Sequence, residues 1–294
     1  MIGIIILNYK TFADTIKIVE DLQLQTLAEK LQIVVVDNAS PNDSFSNLKP
    51  LEKKYKNIVV LQTRENLGYA KGNNFGLDYL DQNIKPEYIA ILNNDIILPK
   101  DSFEKLIDRF NILDKPALIA PKQLDINNIE VLPFKLNTFF DDFLNLFLVY
   151  RLFKKSNLKF IDNTSMNAMK VDIIPGSFMF SSFKIFKNIG FFYPNTFLFS
   201  EERFLAIKVK QLNLNNYVLL DETYIHAHSK TINTVFNQVG KYKLMYDGWL
   251  EFNKLSPSFG KIKTLILIPF MKLSLLEIKL IGYIRQIINN FKTQ

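Results

Sequence analysis

Tyr88-Ile89-Ala90-Ile91-Leu92-Asn93-Asn94-Asp95-Ile96-Ile97-Leu98 is the stretch on which the fold turns. A short apolar run stops at two asparagines and an aspartate, and apolar residues then resume. Such a run, set among alternating strand and helix patterns, predicts a buried parallel strand. Open α/β sheets bind ligands beyond the carboxyl ends of their strands. Asp95 sits at that position between apolar flanks, where a carboxylate is costly unless something compensates its charge. A divalent metal carrying a phosphorylated ligand would do so.

Upstream, the same alternation repeats. Ile2 to Leu7, Ile33 to Val36 and Ile58 to Gln62 read as strands. Thr11 to Leu27, Ser44 to Tyr55 (interrupted at Pro50) and Gly72 to Leu80 read as helices. Strands alternating with helices of this length imply an α/β fold with a mostly parallel sheet and crossover helices. Further on, Phe134 to Phe160 is crowded with Phe and Leu and reads as a packing helix or as a lid or membrane-facing loop. Pro175-Gly176-Ser177 leads into the apolar run Phe178 to Phe180. Glu201-Glu202 opens a helix through Leu212, and Tyr217 to Leu220 and Tyr224 to His228 read as short strands.

The bulk properties narrow the function. The 294 residues are enough for one large domain with an extension, or for two smaller domains. A formal net charge of +7 favours anionic partners such as a nucleotide or a phospholipid surface. Residues 1 to 230 hold no long Lys/Arg block with interleaved aromatics, which argues against nucleic acid. With no Cys, disulfides and zinc-thiolate sites are excluded. The N-terminus lacks a basic n-region, and Thr264 to Met271 is too short to span a bilayer, so a cytoplasmic protein is expected. From Lys272 onward, Leu273, Leu276, Leu280, Ile284, Ile287 and Phe291 form one helical apolar stripe, with Lys272, Lys279, Arg285 and Gln286 on the other face. That helix suits packing on the domain, a second subunit, or an anionic membrane surface.

Four polar clusters fall at predicted strand ends: Asn8-Tyr9, Asp37-Asn38-Ala39-Ser40, the stretch from Arg64 to Asn74, and Asn93-Asn94-Asp95. Parallel strands bring all four to one sheet edge, where they can converge on one ligand. Each alone has a plainer reading. Asp37-Asn38-Ala39-Ser40 suits a turn or a helix cap, and Lys71 suits a solvated surface. Glu201-Glu202 suits the helix dipole, and His226 and His228, two apart on one strand face, suit packing. No G-x-G-x-x-G follows the first strand, no G-x-x-x-x-G-K-[ST] occurs, and no G-x-S-x-G occurs. Dinucleotide-binding Rossmann domains, P-loop hydrolases and nucleophile-elbow hydrolases are thereby disfavoured.

Taken together, ILNYK, VVVDNAS, RENLGYAKGNN, ILNNDIIL, PGSFMF, FLFSEERFLAIKVK and IHAHSKTI resemble the inverting nucleotide-sugar glycosyltransferases of family two, which have the GT-A fold. The likeness is strongest to the rhamnosyltransferase-like, capsular and O-antigen polysaccharide branch, and it covers Met1 to Ile232. It implies a GT-A domain over 1–236 with a helical extension over 237–294. It also implies transfer of a sugar from a UDP- or dTDP-sugar to a hydroxyl of a glycan, carried on a polyprenyl diphosphate at the inner face of the membrane.

The same resemblance assigns roles. Tyr9 would lie along the base and Asp37 would accept from its N3–H. Asn8, Asn38, Asn66, Gly68, Asn74, Asn93 and Asn94 would complete the nucleotide site. Asp95 would hold Mg²⁺ or Mn²⁺, assisted by His226, with Asn93 standing where the family's D-x-D motif has its first Asp. Ser229, Lys230 and Thr231 would meet phosphate oxygens. Gly176 and Ser177 would form the donor and acceptor loop. Glu202 would be the base that deprotonates the acceptor, with Glu201 in reserve. Phe204 replaces an acid often found two residues after that pair. A GT-A-fold partner protein without turnover is the competing expectation. A nucleotidyltransferase is disfavoured, because ILNYKTFADT lacks a Gly-rich loop.

Overall fold

In the computed structural model, residues 1–131, 135–153, 167–227, 237–256 and 259–292 are described. His228, Ser229, Lys230, Thr231 and the end of the Phe-rich stretch lie outside them. The chain forms two compact units. Among the described residues the first runs over 1–131, 135–136, 167–197 and 201–227, and the second over 137–153, 198–200, 237–256 and 259–292.

The first unit is built on one sheet. Its strands are β1 (Ile2–Asn8), β2 (Leu31–Asp37), β3 (Ile58–Gln62), β4 (Tyr88–Leu92), β5 (Ile96–Ile97), β6 (Pro116–Leu124), β7 (Glu130–Val131), β8 (Ala168–Val171), β9 (Phe178–Ser182) and β10 (Asn215–His226). The order is β3-β2-β1-β4-β9-β6-β10-β5, with β7 on β6 and β8 on β10. The half made of β3, β2, β1 and β4 is wholly parallel, in the register Ile4–Ile33 and Ile4–Ala90. β9 then runs antiparallel to β4 and to β6.

The two-residue period of the strands splits the core. Ile4, Ile6, Ile33 and Val35 face one apolar cluster, with Ile18 and Leu22 of helix α1 (Phe12–Leu22). Ile5, Val34 and Val36 face the other, with Leu77 and Leu80 of the helix Gly68–Asn83. Both faces are therefore covered by helices, which is why the strand sequences are apolar almost throughout. Between them the chain forms α2 (Ser44–Leu48) and α3 (Leu51–Lys54), parted at Pro50 as expected. The longer helices that follow in this unit are α4 (Gly68–Asn83), α5 (Ser102–Ile112) and, past α6 (Phe139–Leu144) and α7 (Leu148–Phe153) of the second unit, α8 (Phe183–Ile189) and α9 (Glu201–Gln211).

Two expectations shift. The first helix ends at Leu22, short of Leu27, because the following turn is tied down: Gln25 donates to Pro99 O at 2.9 Å and Thr26 N donates to Lys100 O at 2.8 Å. The two short strands expected at Tyr217 and Tyr224 are one strand, β10, with a register shift between Leu219 and Thr223.

The second unit holds α6 (Phe139–Leu144), α7 (Leu148–Phe153), α10 (Gln238–Lys254) and α11 (Gly260–Lys292). Thr138 caps α6 in a reciprocal box with Asp141. Its core is Leu146, Tyr246, Trp249, Leu267 and Met271. Among the described residues, no helix is long and apolar enough to cross a membrane.

Candidate functional site

The carboxyl ends of β1, β2 and β4 lie side by side, since Asn8 pairs with Asp37 and Ile6 with Leu92 in register. Asn8, Asp37 and Asn38 are buried, and the polar side chains there bond to one another. Asp37 accepts from Asn8 Nδ2 at 2.8 Å, from Ser40 Oγ at 2.6 Å and from Gln62 Nε2 at 3.2 Å. Asn8 Oδ1 accepts from Thr15 Oγ1 at 2.9 Å. Asn38 donates to Asn66 Oδ1 and Gly68 O, and accepts from Leu67 N at 2.9 Å. Asn94 donates to Thr11 Oγ1 and Thr15 Oγ1, each at 2.8 Å. Three strand ends are thus knitted into one hydrogen-bonded rim. Tyr9 follows Asn8 on this rim, half-buried.

Gly68 begins α4 with φ of +75°, a conformation that disfavours a side chain. A Cβ there would stand 2.2 Å from Phe197 O, and the next residue's N–H, that of Tyr69, donates to the same oxygen at 2.7 Å. Asn74 of α4 exchanges two bonds with the backbone of Phe192, at 2.8 and 3.0 Å. The start of α4 therefore holds the loop that leads to the acid pair.

The second cluster joins β4 to β10. His226 Nε2 lies 3.1 Å from Asp95 Oδ1, and Asn93 Nδ2 lies 3.4 Å from the same nitrogen. Gln123 backs the ring. Its Oε1 accepts from Tyr224 OH at 3.0 Å and Ser177 Oγ at 3.3 Å, and its Nε2 lies 3.3 Å from His226 Nδ1, where the imidazole tautomer sets which nitrogen donates. Asn93 N donates to Ser177 O, which joins this cluster to the Gly176-Ser177 loop. Gln123 was not among the sequence candidates. It lies on a strand whose apolar pattern gives no sign that its amide faces an imidazole on β10.

The third cluster is the acid pair at the start of α9. Tyr69 OH donates to Gly176 O at 2.5 Å. A Cβ on Gly176 would meet Glu202 Oε1 at 2.6 Å, so the Glu202 carboxylate lies directly against this loop. Burial raises the Glu202 carboxyl above the ordinary range, opposed by backbone N–H groups of Glu202 itself and of Gly176. Glu201 is 2% exposed. Burial first, and then the neighbouring Glu202 charge, push its carboxyl up to about 8, against a bond from Thr196. The chain enters α9 through Phe199 and Ser200, with φ of 72° and 73°. Two consecutive non-glycine residues in the left-handed region store strain of about 1–3 kcal/mol each, the kind of feature that gathers at functional sites. Phe204 is buried and stacks on Tyr193 with centroids 4.3 Å apart, so the position that departs from the family pattern packs as core.

Asp95 and His226 are suited to a hard divalent cation. In an octahedral shell with bonds of about 2.1 Å, neighbouring ligands stand about 3.0 Å apart. The 3.1 Å between these two atoms is that spacing. Among the described residues no group of three His, Cys, Asp or Glu side chains gathers to hold a metal. The pair would leave most of the shell to water and a phosphorylated ligand.

The model of Glycosyl transferase family 2 matches residues 3–190. The low-salt glycan biosynthesis hexosyltransferase Agl10 of Haloferax volcanii is 26% identical over 216 residues, covering 73% of this chain and 63% of that protein. The minor teichoic acid biosynthesis protein GgaB of Bacillus subtilis is 29% identical over 94 residues, 32% of this chain and 10% of that one. The chain thus spans less than two thirds of the length of these curated relatives. Among solved structures, S. aureus TarS 1–349 in complex with UDP aligns with a TM-score of 0.55 at 16% identity, over 92% of this chain and 70% of that one. GalNAc-T7 with UDP, GalNAc and Mn²⁺ aligns with a TM-score of 0.58 at 10% identity, over 78% and 44%. These likenesses establish the shared GT-A fold.

Proposed function

Because the chain belongs to glycosyl transferase family 2, we propose that it transfers a sugar, with inversion, from a UDP- or dTDP-sugar to a hydroxyl of a glycan during cell-surface polysaccharide synthesis. The acceptor is carried on a polyprenyl diphosphate, and the protein works peripherally at the inner face of an anionic membrane. The observation that carries the reading is the convergence of the Asn8–Asp37–Asn38 rim, the Asp95–His226 pair and the Gly176–Glu202 contact, from β1, β2, β10, α9 and the loops beside them, on one edge of the sheet.

The rim takes the nucleoside. Asp37 accepts from the base N3–H, a contact that uracil and thymine both offer, with Tyr9 along the base and Asn8, Asn38, Asn93 and Asn94 holding the rim's shape. Asn66, Gly68 and Asn74 fix the wall formed by the start of α4. Asp95 and His226 hold Mg²⁺ or Mn²⁺, which when bound supplies charge neutralisation at the nucleoside diphosphate. Gly176 and Ser177 seat the donor sugar and the acceptor. Glu202 accepts the proton of the acceptor hydroxyl as its oxygen bonds to the anomeric carbon and the bond to the diphosphate breaks, so no glycosyl-enzyme intermediate is needed.

Glu202 is the better base of the two acids because it is half-buried and touches the loop, whereas Glu201 is enclosed. The test is calorimetry with UDP and dTDP, with and without Mn²⁺, on the natural chain and on Asp95→Ala. Metal-dependent binding that Asp95→Ala abolishes supports the reading, and absence of binding to either nucleotide under every metal condition sinks it as an active enzyme. The neutral Asn93 favours the competing reading of a partner protein without turnover. Glu202→Gln separates the two, since it stops turnover in an enzyme and leaves a scaffold's assembly role unchanged.

A further inference from the structure

Helix α11 carries two apolar stripes where one would suffice for packing. Leu267, Met271, Ser274 and Ile278 are buried and hold the helix in the second unit. The residues that dominate its sequence pattern face outward instead. Leu265, Leu273, Leu276 and Leu280 are 60% exposed or more, and Ile262, Ile266, Tyr283, Ile284, Ile287 and Ile288 are exposed as well. At 3.6 residues per turn these ten side chains fall within an arc of roughly 140° along a helix roughly 50 Å long. A contiguous exposed apolar patch of that extent marks an interaction surface.

Charge identifies the partner. Residues 260–292 contain six basic side chains (Lys261, Lys263, Lys272, Lys279, Arg285 and Lys292) and one acid, Glu277. Glu277 is already ion-paired with Arg151 at 3.0 Å. Lys261, Lys272 and Lys279 are exposed and, by the same helical geometry, run along one edge of the apolar arc. A homodimer through this stripe would offer those lysines no free acid of α11, since Glu277 is the only one in residues 260–292 and is already paired. An anionic bilayer offers both the apolar depth and the opposite charge, and interfacial helices are built this way. The neighbouring α6–α7 segment adds exposed Phe140, Val149, Leu152 and Phe153. Between it and α11 lies an open apolar groove of about 800 Å³, lined by Leu144, Phe147, Phe153, Phe270 and Leu273.

We propose that the second unit is a membrane-docking module: the outer stripe of α11 lies in the headgroup region of an anionic bilayer with its lysine edge on the phosphates, and the groove beside α7 takes one lipid acyl chain. This deepens, and rests on, the membrane-side placement in the proposed function, and it uses none of the transfer chemistry.

The test is flotation of the full chain with vesicles of phosphatidylcholine alone and of phosphatidylcholine with phosphatidylglycerol in equal parts. Binding is expected to the second and to be roughly tenfold or more weaker to the first. Leu276→Ser/Leu280→Ser/Ile284→Ser should abolish it, and Lys272→Gln and Lys279→Gln should each weaken it about fivefold. These positions are exposed, so circular dichroism and UDP binding should be those of the natural chain. Failure of the natural chain to bind either vesicle overturns the proposal. So does binding that the triple substitution leaves intact, or a stable oligomer in light scattering that the triple substitution dissolves, since the stripe would then be a protein interface. Vesicle binding without UDP binding would leave this inference standing while the transfer reading fell.

Discussion

His226 Nε2 lies 3.1 Å from Asp95 Oδ1, a contact made between a loop at the end of one strand and the last residue of another. The antiparallel pairing of β5 with β10 sets it, through His226 opposite Ile96, and Ala227 N donating to Asp95 O at 2.9 Å locks it. The spacing is that of two adjacent ligands on one cation. If so, Asp95→Ala and His226→Ala should each weaken metal-dependent UDP binding by tenfold or more, while metal-free binding stays within about twofold. Calorimetry at several Mn²⁺ concentrations measures both.

Gln123 holds the far side of the imidazole. Gln123→Leu should keep the fold and lower the apparent Mn²⁺ affinity in the presence of UDP by about 10- to 100-fold, the usual effect of losing a partner that orients a metal-binding histidine. A Mn²⁺ titration followed by electron paramagnetic resonance reads it directly.

Gly176 lies against Glu202, so Gly176→Ala directs a methyl at the carboxylate oxygen. A side-chain end can swing away cheaply, and thermal unfolding should move by only about 2–4 °C. Sugar transfer should fall by about 10²-fold or more, approaching the effect of Glu202→Gln, for which 10²- to 10⁴-fold is expected. Equal UDP affinity in both variants, with turnover unaffected in either, would contradict the role of Glu202.

Glu201 sets a pH dependence of stability. Its carboxyl is ordinarily near 4.5 and is raised to about 8 in the folded chain. A carboxyl raised on folding favours the native state fully below its unfolded value, and that contribution is lost as pH rises through the folded value. Stability should therefore drain away between about pH 4.5 and pH 8. Glu201→Gln should be neutral at pH 4.5 and stabilising at pH 8, by at most about 5 kcal/mol. Urea unfolding at the two pH values decides the sign.

Gly68 cannot be replaced so cheaply. Its positive φ and the Phe197 carbonyl 2.2 Å from a Cβ both involve backbone, which has nowhere to swing. Gly68→Ala should cost about 1–2 kcal/mol from the conformation alone, and more from the displaced loop. Differential scanning calorimetry should show it as the most destabilising of the single substitutions considered.

Much of this protein was readable from one dimension. Runs such as Ile2 to Leu7 and Ile33 to Val36 are apolar on both faces and short, which determines buried parallel strands and, through them, a single edge where Asn8, Asp37 and Asn93 to Asp95 gather. That inference is local: a strand end follows from where an apolar run stops. The acid pair and the Gly176-Ser177 loop stand out through the family resemblance instead, since neither follows the end of an apolar strand. Which of the two acids faces the loop was not readable, because adjacent helical residues differ by a rotation that only packing fixes. Gln123 escaped notice for a related reason, since its partner on β10 is set by strand order, and strand order is a long-range property. The C-terminal helix shows the limit most sharply. Its apolar pattern predicted a stripe, but a stripe has the same spelling whether it is covered or bare. Only the tertiary structure decided that Leu267, Met271 and Ile278 are the packed face and that Leu273, Leu276 and Leu280 are left for something else to cover.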